Sequence, residues 1–280
     1  MKEINVLDIT KAVKKLCIDA NYYLSDDIKD RLEDAKEKET FPIAKDILNK
    51  IILNADIARK EDMPMCQDTG MTCVFVELGQ EVHIQGGALE DAINEGVRQG
   101  YSEGYLRKSV VKDPLDRVNT KDNTPAIIYY NVVPGDKLKI TIAPKGFGSE
   151  NMSALKMLKP ADGVEGVKEF ILETVKKAGP NPCPPIVVGV GIGGTFDRAA
   201  NLAKKALIRP TAQRNSNPYY EALEEELLEG INKLGIGPQG FGGRTTALAV
   251  NIEYYPTHIA GLPVAVNINC HATRHAEIEL

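Results

Sequence analysis

The chain has 280 residues with a formal net charge of −5, 43% hydrophobic residues and 26% charged residues. That length supports one large domain or two small ones around a sizeable core. The acidic balance, without basic runs, argues against nucleic acid as a partner. No stretch approaches the ~18 apolar residues that span a bilayer, so no membrane partner is expected.

The first residues of the sequence and its cysteine content indicate the cellular compartment in which the protein is expected. The first residues, Met1–Val6, lack an apolar signal core and a cleavage site, so we expect the cytoplasm. The chain has five cysteines, an odd number, and a reducing compartment keeps thiols free. The cysteines are therefore predicted to fill the core, act as nucleophiles or bind metal.

Residues 1–60 are predicted to be helical. Ser25 is a predicted N-cap, and the apolar stripe from Ala44 to Ala55 predicts a helix with one buried face. After residue 60, segments with alternating or continuous apolar residues predict strands. Between them, apolar residues at helical spacing predict further helices. Strands are predicted at 72–78, 126–132, 137–143, 185–190, 245–252 and 262–268, and helices near 89–97, 164–177, 195–207 and 218–234.

This mixture predicts an α/β (mixed α+β) fold: a helical N-terminal region followed by a mixed sheet with flanking helices. Residues 1–280 show no repeat, no low-complexity segment and no clear linker. We therefore expect a single domain that includes the helical region 1–60.

The segment Gly189–Gly194 matches the G-x-G-x-x-G pattern of dinucleotide sites, after a predicted strand and before a predicted helix. Such a site needs an acidic residue about 20 residues further on, and Ala206–Ser216 contains none. We expect instead that these glycines let the backbone approach a bulky group beside Cys183, with N–H groups facing an anion. An NAD-dependent dehydrogenase is kept as a distant alternative.

Three cysteines lie in turns of unusual composition at predicted strand ends. Cys66 lies in 64–70, Cys183 is flanked by prolines in 180–185, and Cys270 precedes His271. Their spacing lacks the local pairs of structural zinc sites and of ferredoxins. Spacing alone therefore leaves open both a three-cysteine cluster and buried thiols of a non-catalytic scaffold. Cys17, in a predicted helix, and Cys73, in a predicted strand, are expected to be packing residues.

One histidine and one arginine are further candidates for residues that contact a substrate. His258 follows a proline turn, and it either satisfies the loop backbone or donates to a substrate. Arg107 is either a solvated charge or a carboxylate clamp.

Several long motifs, in order, make the chain resemble the N-terminal domain, or alpha subunit, of the class I (iron–sulfur) fumarate hydratase family, which includes L(+)-tartrate dehydratase. The resemblance covers essentially the whole chain, with one departure at Phe147, where the family often has glycine. The motifs are 65–70, 116–125, 145–151, 180–185, 189–199 and 258–274.

The resemblance implies a [4Fe-4S] cluster with one iron that lacks a protein ligand and acts as a Lewis acid. The implied cluster ligands are Cys66, Cys183 and Cys270. The implied substrate-binding residues are Gln67, Arg107 and Gly148, and the implied catalytic residues are Asp68 and His258.

The implied enzyme is a hydro-lyase that reversibly hydrates fumarate to (S)-malate, with L(+)-tartrate dehydration as the alternative. The family attributes the proton-abstracting base to the C-terminal half, and this sequence stops ten residues after Cys270. We therefore expect a small dicarboxylate substrate and a separate beta subunit, in an α2β2 assembly.

Overall fold

The computed structural model describes residues 2–280, which divide into two compact units. The first unit comprises 2–24, Ala55–Phe147 and Arg274–Leu280, and the second comprises Ser25–Asn54 and Gly148–Thr273. The single-domain expectation stays a prediction. No helix of the described residues is long and apolar enough to cross a membrane.

Helices and strands are mixed throughout, so the predicted fold class is confirmed. The α-helices are α1 (Val6–Tyr22), α2 (Asp26–Lys38), α3 (Pro42–Lys60), α4 (Leu89–Glu103), α5 (Phe147–Glu150), α6 (Gly163–Ala178), α7 (Phe196–Ala206) and α8 (Pro218–Asn232). The strands are β1 (Lys2–Asn5), β2 (Met71–Gly79), β3 (Val82–Gln85), β4 (Ile127–Val133), β5 (Leu138–Lys145), β6 (Ala154–Leu158), β7 (Ile186–Gly193), β8 (Ala247–Tyr255), β9 (Leu262–Asn269) and β10 (Ala276–Glu279).

The first unit is built on a four-stranded sheet in the order β10-β5-β2-β4. β2 is parallel to β4, while the other two pairings are antiparallel. Alternation along β5 buries Leu138, Ile140 and Ile142 completely, as their period-two pattern predicts. Helices α1 and α4 pack against each other, and α1 also contacts β5.

The second unit is built on a sheet in the order β6-β9-β7-β8. The central strand β7 is buried at every position, antiparallel to β9 and parallel to β8. Its core also holds a buried ion pair, in which the fully buried Glu224 carboxylate accepts from the Arg209 guanidinium. The same carboxylate accepts from the N–H groups of Ile252 at 2.8 Å and Asn215 at 3.0 Å.

The glycines of β7 lie against α7. A Cβ added to Gly189 would lie 2.2 Å from the Ala203 carbonyl oxygen, and one added to Gly191 would lie 2.1 Å from that of Ala199. The expectation that these glycines face a bulky group beside Cys183 is therefore wrong. The helix packs so closely on this central strand that no side chain fits between them, and the N–H groups serve the ladders to β8 and β9.

The N-terminal helices and all six predicted strands are present. Ser25 does precede α2 as its N-cap residue, but its side chain makes no capping hydrogen bond. The strands that sequence patterns missed are short: β1, β3, β6 and β10, each of four or five residues.

Candidate active site

Four chain segments meet at one end of the first unit's sheet. β2 begins at Met71 opposite Lys145, the last residue of β5, because these two strands are antiparallel. β4 and β10 also begin at this end, with Ile127 beside Cys73 and Ala276 beside Ile142. The segments that converge are therefore those before β2, before β4, before β10 and after β5.

The turn that carries Cys66 and Asp68 is held against the end of β5. The Asp68 carboxylate accepts hydrogen bonds from the N–H groups of Gly70 and Phe147, each at 3.0 Å. Cys66 is partly exposed, and its thiol donates to the Gln67 side-chain oxygen at 3.5 Å. The turn therefore presents a thiol, an exposed amide and a fixed carboxylate side by side.

The Arg107 segment is tied to the same turn. The Thr69 hydroxyl donates to the Arg107 carbonyl at 2.9 Å. The fully buried Asn123 donates to the Gly70 carbonyl at 3.2 Å and accepts from the Ser109 N–H at 2.7 Å. Arg107 itself is exposed and makes no ion pair with any described residue, which leaves its guanidinium available for a carboxylate.

Sequence reasoning gave no role to Arg274, which precedes β10. Its side chain is only 4% exposed, and its Nη2 donates to the Asp68 carbonyl at 2.7 Å. Its one sequence signal is its position at the end of the 258–274 motif, which says nothing about its contacts.

In the second unit, Cys183 and Cys270 lie at the same end of the sheet. Cys183 lies just before β7, and Cys270 directly follows β9, whose Asn269 pairs with Val187. The His271 N–H donates to the Cys183 carbonyl at 3.3 Å. The second unit therefore brings these two cysteine turns together at one end of its sheet.

The Cys183 turn is rigid and its thiol side chain is exposed. Its φ is +55°, a left-handed conformation that non-glycine residues rarely adopt and that often marks functional sites. Gln239 braces the following residue, since its backbone N–H donates to the Pro184 carbonyl at 2.7 Å and its amide also does so at 2.8 Å. The same amide lies 3.1 Å from the His271 Nδ1.

Gly148 lies beside the Cys183 turn. A Cβ added to this exposed glycine would lie 3.8 Å from the Asn181 carbonyl oxygen. The segment is anchored by Glu150, whose carboxylate accepts from Lys204 and from Asn267, each at 2.7 Å. Its main chain is therefore held near the cysteine turn.

His258 lies at the opposite end of the second sheet, in the connection between β8 and β9. The neighbouring Thr257 hydroxyl donates to the Gly194 carbonyl, just past the end of β7, at 2.9 Å. Strand β9 lies between His258 and Cys270 in the chain, and its eight residues extend over roughly 26 Å at about 3.3 Å per residue. The second unit thus does not bring His258 together with its two cysteine turns.

The five cysteines fall into two groups that differ in exposure. Cys17 and Cys73 are buried, and burial raises the pKa of the Cys17 thiol, as expected of packing residues. Cys66, Cys183 and Cys270 are at least partly exposed, and thiolates of this kind are the ligands of iron–sulfur clusters.

Among residues 2–280, no group of three or more His, Cys, Asp and Glu side chains could hold a single metal ion. Each cysteine of a cubane cluster binds a different iron, so cluster ligands need not converge on one point. The donor chemistry of the three accessible thiols fits such a cluster.

The chain belongs to the fumarate hydratase (Fumerase) family, whose model matches residues 10–279. Members of this kind are hydro-lyases. The chain is 47% identical over 276 residues to a candidate L(+)-tartrate dehydratase subunit alpha of Methanocaldococcus jannaschii, with 96% of each chain covered. It is 34% identical over 283 residues to the L(+)-tartrate dehydratase subunit alpha of Escherichia coli strain UTI89, covering 100% of this chain and 93% of that protein.

Proposed function

We propose that this chain is the alpha subunit of an iron–sulfur hydro-lyase that acts on a four-carbon hydroxydicarboxylate. The observation that carries the proposal is the division of the cysteines, with three accessible thiols on well-held turns and two buried ones. Family membership supports the hydro-lyase chemistry, and the names of the relatives support a partner subunit.

In this proposal Cys66, Cys183 and Cys270 hold a [4Fe-4S] cluster. When bound, such a cluster supplies a Lewis acid that makes a hydroxyl a better leaving group. The proline-flanked, left-handed Cys183 turn supports a ligand role, because a rigid thiol loses little conformational freedom on binding.

The polar groups of the first unit would bind the substrate. Arg107 would clamp a carboxylate with its exposed guanidinium, and Gln67 would donate its amide. Asp68 would accept from the substrate hydroxyl, because two backbone N–H groups already hold its carboxylate in place. The Gly148 main chain would donate to the substrate from beside the Cys183 turn.

His258 would reach the substrate from a second copy of the alpha chain. β9 separates it from the Cys183–Cys270 end of its own unit, and an α2β2 assembly contains two alpha chains. The base that takes the proton from the neighbouring carbon would belong to the beta subunit.

A cytoplasmic location of the protein also stays a prediction.

Cluster assembly tests the ligand set directly. After anaerobic reconstitution, the full chain should contain about four irons and four sulfides. Cys66→Ser, Cys183→Ser and Cys270→Ser should each lose the visible absorbance, while Cys73→Ala, a buried cysteine, should retain it. A colourless wild-type chain, or a full cluster in Cys183→Ser, would contradict the proposed ligand set.

Mixing two alpha variants tests the origin of His258. Cys183→Ser and His258→Asn are each expected to be inactive in complexes with the beta chain. If His258 acts across copies, mixed assemblies contain one intact site, and about a quarter of wild-type activity should return. No recovery in demonstrably mixed assemblies would place His258 in the same copy as the cysteines, or outside the site.

The substrate has two equally supported identities. The family description favours fumarate and (S)-malate, whereas the names of the relatives favour L(+)-tartrate. Initial rates of the complex with its beta chain on (S)-malate and L(+)-tartrate decide between them. Substantial turnover by the alpha chain alone would contradict the need for a partner.

A further inference from the structure

Arg274 carries a buried positive charge that the described residues leave largely unpaired. Its Nη2 donates to the Asp68 carbonyl, whereas its Nε and Nη1 have no hydrogen-bond partner in the described part of the chain. No described carboxylate forms an ion pair with it. Arg209, a largely buried arginine of the second unit, by contrast binds Glu224 and Glu253.

An arginine of this kind is costly to the fold. Removing a guanidinium from water is unfavourable, and an opposite charge normally offsets that penalty. Here the one bond that it makes is to a neutral carbonyl. Arg274 lies at the end of the sheet that carries Cys66, Asp68 and Arg107, where an anionic ligand would supply the missing opposite charge.

Arg274 and the Asp68 carboxylate both lie near Gly146. A Cβ added to Gly146 would lie 3.2 Å from the Asp68 Oδ2 and 3.9 Å from the Arg274 Nη2. The guanidinium thus holds the main chain of Asp68, while the carboxylate is held by the N–H groups of Gly70 and Phe147. The Asp68 turn is therefore fixed from both sides, and Arg274 is the only one of these three hydrogen-bond donors that carries a full charge.

We propose that Arg274 is a positioning residue for substrate binding, which fixes the Asp68 turn and whose unpaired charge raises the affinity for a dicarboxylate. This inference rests on the proposed function, because it presupposes that the turn binds a dicarboxylate. The proposed role requires a guanidinium in particular. One side chain must donate a hydrogen bond to the Asp68 carbonyl and, at the same time, present positive charge to a ligand.

Calorimetric titration of the cluster-loaded complex of this chain and its beta chain with succinate tests this, because succinate has two carboxylates and no hydroxyl to lose. Arg274→Gln should raise the succinate Kd on the order of tenfold, as loss of a charged contact does. It should also speed amide exchange at Gly70 and Phe147, with iron and sulfide content unchanged. Arg209→Lys is the matched control. In this variant neither the succinate Kd nor the rate of amide exchange at Gly70 and Phe147 should change.

Three results overturn the inference. A wild-type complex that carries its cluster but binds no succinate removes the proposed dicarboxylate site, and the inference with it. A wild-type affinity in folded Arg274→Gln overturns the inference alone. If Arg274→Gln does not fold, Arg274→Lys decides: a Kd raised at least threefold supports a guanidinium role, and an unchanged Kd excludes it.

Discussion

Replacing Gly191 with alanine should destabilise the chain strongly even though it adds a single methyl group. The added Cβ would lie 2.1 Å from the Ala199 carbonyl oxygen, 2.6 Å from the Ala203 nitrogen and 2.9 Å from the Leu202 Cβ. Two of these neighbours are helix backbone, so α7 as a whole must move away from β7. Overpacking a core costs about 1–3 kcal/mol. Because this approach is so close, we expect Gly191→Ala to lower the free energy of unfolding by about 3 kcal/mol.

The assay is thermal unfolding of the ligand-free chain, followed by circular dichroism. For a chain of this size each kcal/mol lowers the Tm by about 2 °C, so the expected loss is about 6 °C. Gly261→Ala is the control, since its Cβ would lie 3.8 Å from the nearest atom, the His258 carbonyl oxygen. If Gly191→Ala melts within about 1 °C of wild type, the packing explanation fails, and a ligand-binding reason for these glycines must be sought.

Three further outcomes follow from single side chains. Glu224→Ala should lower the free energy of unfolding by about 3–5 kcal/mol in urea titrations, because it leaves the buried Arg209 guanidinium without its main partner; a loss under about 1 kcal/mol would contradict a buried pair. Partial burial raises the pKa of Asp122, but hydrogen bonds from Thr124 and Arg98 together outweigh it and lower that pKa from 3.8 to about 2. The stabilisation that Asp122 contributes is therefore complete above about pH 4 and is lost as the pH falls towards 2. In urea titrations between these pH values, the free energy of unfolding of Asp122→Asn should fall less steeply with decreasing pH than that of the wild type. An equal slope in the two proteins would refute this. Arg107→Lys should raise the KM for the dicarboxylate about tenfold in steady-state kinetics, because an ammonium cannot form the two parallel bonds of a guanidinium; an unchanged KM would remove the clamp.

Local patterns predicted the long elements well. The alternation of Leu138, Ile140 and Ile142 and the stripe of α3 each repeat often enough to fix both the element and its buried face. β6 and β10 are too short for such a repeat, and they form because longer strands offer an edge to pair with. Tertiary pairing, not local propensity, decides them.

The candidate site was predictable only in its parts. The turns at Cys66, Cys183 and Cys270 were visible as strand ends, and the structure brings the latter two together within the second unit. The convergence of four segments at one end of the first sheet depends on strand register, which no local pattern encodes. Arg274 was missed for the same reason.

The separation of His258 from Cys270 could have been foreseen. A strand was predicted at 262–268, and a residue before a strand and a residue after it must lie at opposite ends of the sheet. The proximity of these two residues in sequence concealed their distance in space.

The strand β10 has a consequence for how the protein is made. Ala276 pairs with Ile142, and the long segment Gly148–Thr273 of the second unit lies between them in the sequence. During synthesis all residues of the second unit are therefore made before the first unit can complete its sheet. Domains usually fold in order from the N-terminus as the ribosome delivers them, and here the unit that contains helix α1 must wait for residues translated after the whole of the second unit.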